Sequence, residues 1–459
     1  MNTSAAKQRN EINMLEGPMT GKLLSIALPL ILISILQQLF NAADVAVVGR
    51  FASSDSLAAV GANTPIANVF ITFFTGLSTG GNVTISSLIG RKANEGRIHR
   101  AVQTVYTLSL LGFVLILFLG QLLARPLLVL TGTPETILGK SVLYLRIYFF
   151  ALAFSVIYNF CSAILRSKGD TRRPLCCLVI SGIVNVILNL LFVIVFSMDV
   201  AGVALATLIS NALCSGICLH LLIRETDFLR ISVSELLLER EYLKTTLAVG
   251  LPAALQGMLF SVSNMIIQSG INSLGSACIA GNTAALNFEY MAYFVVNGFA
   301  QTITTFVSQN YGAGKFSRCR QALRRSLMLA VSLTALVSAC FYFGSSFWLS
   351  FFSKDSEVIS AAMVRMLFVT ALEPMTAFYE LPGGALRGRG ISIPPTVVTV
   401  SGSCLFRIVW VNTFFRLFHD LSGLLLVYPV SWCLLSTGML LLYRYHVRKE
   451  TNRQSIASA

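Results

Sequence analysis

Twelve apolar runs, each long enough to cross a bilayer, leave this chain few possible folds. They lie at about 23–49, 57–88, 101–124, 136–165, 174–197, 201–223, 243–272, 277–308, 321–349, 357–386, 393–416 and 420–443. A helix needs roughly 20 residues to span the hydrocarbon core, so the runs predict an all-α polytopic membrane protein of twelve transmembrane helices. Composition agrees: charged residues make up only 12% of the chain, against about 25% in a soluble domain.

The net charge of +14 could suggest nucleic acid, but the cations sit in short loops between spans. They alternate in density. Twenty-six Lys and Arg fall in the N-terminal stretch, in every second loop and in the tail, 5 fall in the intervening loops, and Arg146, Arg365 and Arg407 lie inside spans. That asymmetry places both termini in the cytoplasm, and an even number of spans agrees. The expected partners are lipid bilayer and small molecules, not nucleic acid. The ten cysteines are no disulfide framework, since Cys176, Cys177, Cys214, Cys218, Cys278 and Cys340 lie inside apolar runs as small hydrophobes. A polar stretch ahead of the first span argues against a cleaved signal.

The two halves repeat each other. KLLSIALPLI from Lys22 parallels KTTLAVGLPAA from Lys244, Pro29 matches Pro252, and Asn63-Thr64 matches Asn282-Thr283. LRSKGDTRRP from Leu165 matches LRGRGISIPP from Leu386, at an offset near 220 residues throughout. Six spans per half, both halves starting on the same side, make a parallel repeat about an axis along the membrane normal. The expected organisation is a tail 1–22, an N-lobe 23–223, a linker 224–242, a C-lobe 243–443 and a tail 444–459. The linker, RETDFLRISVSELLLER within it, reads as a short amphipathic surface helix.

The first span carries the chemistry. Gln37, Asn41 and Asp44 fall at i, i+4 and i+7, on one helical face. A carboxylate at membrane depth costs about 2.5–3.5 kcal/mol on the insertion scale and marks a functional site by default. Asp44 is therefore read as the working group of an ion-coupled transporter, with Gln37 and Asn41 extending its hydrogen-bonded network. Pro29 removes one backbone hydrogen bond and invites a kink.

With these residues in place, the chain resembles the multidrug and toxic compound extrusion (MATE) family. The resemblance rests on Leu28-Pro29 and Asp44, the LRSKGDTRRP loop, Asn185-x3-Asn189, GVALATLIS (Gly202–Ser210) and QNYGAGK (Gln309–Lys315), in that order along all twelve segments. Bacterial DinF-like and MepA-like members are the expected branch. The resemblance implies two pseudo-symmetric six-helix bundles around a central cavity. It implies export of drug-like, often cationic compounds in exchange for inward protons or sodium, with no other cofactor, by a chain acting as a monomer. It also implies an N-lobe cation site of Asp44, Asn185, Asn189 and Thr207, which would be metal ligands only if the ion is sodium. The residues fit that role, as neutral amide and hydroxyl oxygens around one carboxylate suit a hard cation. Some members have an acid where this chain has Asn189. Whether the ion is a proton or sodium stays open, as does the simpler reading that these groups only fix helix packing. The family further suggests that the Pro29 kink follows the state of the carboxylate.

Three further acids lie in the second half: Glu289, Glu373 and Glu380. Some sodium-coupled relatives have an acid in span seven where this chain has Phe260, so their C-lobe sodium site is in doubt here. Arg407 is a candidate partner for one of the glutamates. Alternatively, Glu289 and Glu373 attract cationic cargo or carry a second proton. Arg146 and Arg365 occupy matching places in the halves, which favours a structural or snorkelling role. Candidate cavity linings are Phe40, Phe70, Phe73, Met258, Phe260, Met265, Phe288, Tyr290 and Met291, as aromatics stack on cations and Met adapts to many shapes.

Rival readings are weaker. A lipid-linked oligosaccharide flippase of the same superfamily needs several cavity cations, and only Arg407 is an obvious one. A channel needs a continuous polar or charged ring. An enzyme needs a nucleophile–base pair or metal cluster, yet His99, His220, His419 and His446 lie at loops or span ends without paired spacing. No phosphate-binding G-x-x-x-x-G-K-[ST] pattern is present. An ion gradient remains, worth about 2.3 kcal/mol per charge per 100 mV.

Overall fold

A computed structural model describes residues 12–458, and side chains as far as residue 452. Lys7 and Arg9 of the charge pattern, with residues 1–11 of the tail 1–22, lie outside the described residues, as does the side chain of Arg453. Among the described residues there is no strand. Eleven helices are long and apolar enough to cross a membrane: α1 Met19–Phe51, α2 Ser54–Gly90, α3 Glu95–Leu130, α4 Glu135–Ser167, α5 Arg172–Val195, α6 Asp199–Ile223, α7 Arg240–Asn272, α9 Phe316–Phe343, α10 Ser356–Gly388, α11 Ile393–Phe418 and α12 Leu421–Asn452. The twelfth, α8 Ser276–Gly312, has 37 residues and is less apolar, with Asn282, Glu289 and Gln309 among its buried residues. This is the expected all-α fold of twelve long helices.

The helices gather into two compact units, one mainly Leu28–Met258, the other Gly17–Ala27 with the chain from Leu259 onward. The division therefore falls inside α1 and α7 and not at the 224–242 loop. That loop is tied down within the first unit. Lys168 pairs with Asp227 at 2.6 Å and Arg100 with Glu239 at 3.2 Å, and Arg173 bridges Asp170 and Glu225. The backbone amides of Leu237 and Glu239 donate to the hydroxyls of Thr107 and Thr104, each at 3.2 Å. With two of its amides bonded to α3 hydroxyls, the stretch 225–239 runs as turns and irregular chain. The amphipathic helix expected there is absent from this stretch.

In the first unit α4 is central, burying Leu145, Phe149, Phe160 and Leu165 against Ile85, Val105 and Cys218. The first half of α7 packs on α2 at close range. A Cβ at Gly76 would overlap the backbone of Ala254, and one at Gly80 the carbonyl of Thr246. Small residues let helix backbones approach closely in a membrane, where packing rather than hydrophobicity holds helices together. The Thr84 and Thr246 hydroxyls then meet at 3.0 Å. In the second unit Trp410, Leu425, Tyr428 and Trp432 form the core with Ile267 and Val369.

Among the described residues three of these helices lose α-regularity, α5 at its C-terminal end and α10 and α11 in mid-course. A wide π turn occupies Leu191–Val195 in α5, another Met366–Thr370 in α10, and a third Val400–Leu405 in α11. In α10 a 3-10 turn, Glu373–Thr376, follows. Each irregularity adjoins a polar residue singled out above: Asn189, Glu373 or Arg407. Wide turns of this kind recur at functional sites because they re-aim side chains.

Candidate functional site

In the first unit α1, α5 and α6 converge on Asp44, which is 7% exposed. Asn189 Nδ2 donates to Asp44 Oδ1 and, at 3.3 Å, to Asn185 Oδ1 one turn earlier on α5. Thr207 Oγ1 lies 3.2 Å from Asp44 Oδ2 and 3.0 Å from the carbonyl of Val203. A hydroxyl has one hydrogen to give, so Thr207 can donate to the carboxylate or turn to the backbone and present its oxygen. Asn189 Oδ1 is buried and accepts no hydrogen bond. Asp44 has no Lys or Arg at ion-pair distance among the described residues. The centre is thus a lone carboxylate, one orphaned amide oxygen and one reversible hydroxyl, a set of hard oxygens that fits a proton or a small cation.

One helical turn from each of the three bonded residues stands a member of one apolar cluster: Val48 for Asp44, Val193 for Asn189, Val203 for Thr207. Val60, Tyr144 and Val200 belong to the same cluster, so the polar centre is walled by hydrocarbon on the side where α1 and α5 end and α6 begins. Beyond that layer Lys140 Nζ binds Ser53, Ser56 and Asp199 at 3.1, 3.0 and 2.9 Å. Tyr144, stacked on Tyr148 at 5.6 Å, was not singled out from the sequence, since nothing local separates it from the other aromatics of its span.

Gln37 and Asn41 are not brought to Asp44. Both are exposed, and neither bonds it. Gln37 shares the helical face but stands about 10 Å away along it at 1.5 Å per residue. Asn41 lies some 60° round the helix from Asp44, off the buried stripe.

The second unit holds a cavity of about 130 Å³ lined by Glu289, Arg365, Glu373 and Arg407 with Phe260, Tyr290, Tyr428 and Trp432 among others. Arg365, 2% exposed, binds Glu289 Oε2 through Nε at 2.8 Å, Asn282 Oδ1 through Nη1 at 2.5 Å and Tyr428 Oη through Nη2 at 3.5 Å. Of the structural or snorkelling role expected of Arg365, the structural one fits, because the side chain is buried in an ion pair and does not reach for an interface. Its counterpart Arg146 is exposed. The 219-residue offset between Asn63 and Asn282 puts Phe70 where the second half has Glu289, and without an acid the first half cannot hold a buried arginine. That substitution was the available signal.

The expected Arg407–glutamate pair does not form. Arg407 is 1% exposed, gives one hydrogen bond, Nη1 to Asn264 Oδ1 at 2.9 Å, and packs on the rings of Phe260 and Tyr428, whose centroids are 5.1 and 4.5 Å from its guanidinium carbon. Glu380 is taken by Arg387 at 3.7 Å. Glu373, 2% exposed, has no cation within ion-pair distance. Of the expected cavity linings, Phe260 and Tyr290 border this cavity. Phe288 does not: it is buried against Phe341, Trp348 and Phe352. Phe40, Phe70 and Phe73 pack on the first unit's core, Phe40 in the space Gly182 leaves. Met258 and Met291 are half-buried and Met265 is exposed.

A single family model, MatE, matches residues 29–191 and again 252–411. The chain belongs to the MatE family. The two matches begin at Pro29 and Pro252, the pair on which the internal repeat was aligned. The chain is 27% identical over 434 residues to "Probable multidrug resistance protein YoeA" of Bacillus subtilis, covering 91% of each. It is 27% identical over 354 residues to a protein named "FAD transporter" from Shewanella oneidensis, covering 75% of this chain and 77% of that one. Its fold is similar to that of a multidrug resistance MATE family transporter solved in an outward-facing conformation, with a TM-score of 0.88 at 21% identity over 96% of this chain and 98% of the other. MatE proteins are multi-pass membrane transporters of small molecules, not enzymes.

Proposed function

We propose that this MatE chain is a secondary antiporter that exports drug-like, cationic amphiphilic compounds in exchange for inward protons or sodium. It works as a monomer in the bacterial inner membrane, with both termini cytoplasmic. Asp44 carries the reading: a buried carboxylate whose partners are all neutral. Shielding such a charge from water costs several kcal/mol unless it is compensated, and a proton or a small cation compensates it. Asn185, Asn189 and Thr207 hold the ion through oxygen, and for sodium they are its ligands. Occupancy of the site, coupled to α1 through Pro29, biases which side of the membrane the cargo meets.

Reconstituted vesicles loaded with a fluorescent organic cation test this under a pH gradient or a sodium gradient imposed separately. Efflux driven by one of them, and lost in Asp44→Asn, is expected. Efflux that answers to neither gradient counts against antiport.

A second reading has its own support. Arg407 is a buried cation with no carboxylate within ion-pair distance, and a relative is named as a transporter of FAD, a phosphate-bearing compound. An exporter of an anionic metabolite is the alternative to a drug exporter.

A further inference from the structure

We propose that the cavity of the second unit is a subsite for an anionic oxygen group, a carboxylate or a phosphate, held by Arg407. A guanidinium offers five N–H donors in a rigid planar fork. Here a single bond, Nη1 to Asn264, is made, and Nε has no partner. The rings of Phe260 and Tyr428 pack against the group, with their centroids 5.1 and 4.5 Å from its central carbon. The neighbouring Arg365 is already neutralised by Glu289, and no carboxylate lies within ion-pair distance of Arg407. A planar guanidinium with no carboxylate in ion-pair contact is the group best suited to take a carboxylate or phosphate two-pronged.

The same wall carries Glu373. In its charged form it opposes an anion, and with a proton it can donate to one, so Glu373→Gln mimics the state that favours binding. The volume of about 130 Å³ is room for some four waters at ~30 Å³ each, far below the 300–1,000 Å³ typical of a drug-sized ligand. The cavity therefore recognises one end of a compound, or a small free anion. Its aromatic walls, Tyr290, Tyr293 and Trp432, suit a carboxylate borne on a flat ring. The role of this subsite in export rests on the antiporter reading, but its existence does not, because no residue of the Asp44 centre lines it.

The test uses the full-length purified protein and two probes of matched size, benzoate and benzylamine. Binding is followed through the fluorescence of Trp432, with Trp432→Phe as the signal control, and through the melting temperature. Saturable binding of benzoate is expected, weakened at least about ten-fold in Arg407→Gln, the order expected for losing a charge-assisted contact. Glu373→Gln should bind benzoate as well as the parent or better. Benzylamine binding in place of benzoate overturns the proposal, as does unchanged benzoate affinity in Arg407→Gln. If Arg407→Gln does not fold, Arg407→Lys serves: several-fold weaker binding supports the two-pronged contact and unchanged binding overturns it. Efflux of radiolabelled benzoate from loaded vesicles assigns the anionic group to the cargo. Binding without efflux assigns it to a small free anion that occupies the same subsite. Asp44→Asn should lose gradient-driven export and still bind benzoate, so failure of the antiporter reading and failure of this one are told apart.

Discussion

Thr207 Oγ1 lies 3.2 Å from Asp44 Oδ2, joining α6 to α1 across 163 residues of chain. The same oxygen is 3.0 Å from the Val203 carbonyl, which gives the hydroxyl two resting orientations around one carboxylate. Asp44→Asn keeps the shape and removes the charge, so gradient-driven efflux of a cationic dye is expected to fall to the level of empty vesicles. Thr207→Val removes only the oxygen. About 1–3 kcal/mol is at stake in such a buried bond, so the half-saturating ion concentration should rise roughly ten-fold, with Thr207→Ser near the parent. Equal efflux in all three would dismiss the centre as mere packing.

Pro29 stands two residues beyond the point at Ala27 where α1 passes from one unit to the other. The helix runs unbroken through it from Met19 to Phe51. Pro29→Ala restores a backbone donor and a better helix former, so the melting temperature should hold or rise. Efflux should slow several-fold if bending at this point is part of the cycle. Parent-like turnover would exclude Pro29 as a hinge.

Arg365 and Glu289 form a buried ion pair in the second unit. Removing one partner strands the other, at about 3–5 kcal/mol, whereas replacing both with apolar groups is often neutral. Glu289→Met and Arg365→Met should each lower the melting temperature sharply, and the double variant should regain most of the loss. Additive losses in the double variant would show that the two side chains act independently.

The approach of α7 to α2 can be probed on a single helix. Gly80→Val drives a side chain into the Thr246 carbonyl, while nothing lies within 4 Å of a Cβ at Gly61. Overpacking typically costs about 1–3 kcal/mol, and glycine in a helix costs up to about 1 kcal/mol against alanine. Gly80→Val should therefore melt earlier than the parent, and Gly61→Ala at the same temperature or later. A stable Gly80→Val would mean that the two helices can separate at little cost.

What the amino-acid sequence determined is what depends on near neighbours along the chain. Run length and hydropathy set the helices, the 220-residue echo set the repeat, and the i, i+4 spacing put Asn185 and Asn189 on one face. Asp44 stood out because an acid within an apolar run is anomalous wherever the run ends up. The tertiary structure decided which polar residues meet. Gln37 and Asn41 share a stripe with Asp44 on paper, but only Asp44 lies where α5 and α6 close over it. Arg365 finds Glu289 at a separation of 76 residues, and Arg407 finds an asparagine and two rings where a glutamate was expected. Hydropathy says that a side chain is inside the membrane but not which neighbouring helix it faces. That depends on helix rotation, on the wide turns in α5, α10 and α11 and on where glycine lets two backbones close in, none of which leaves a local mark in the sequence.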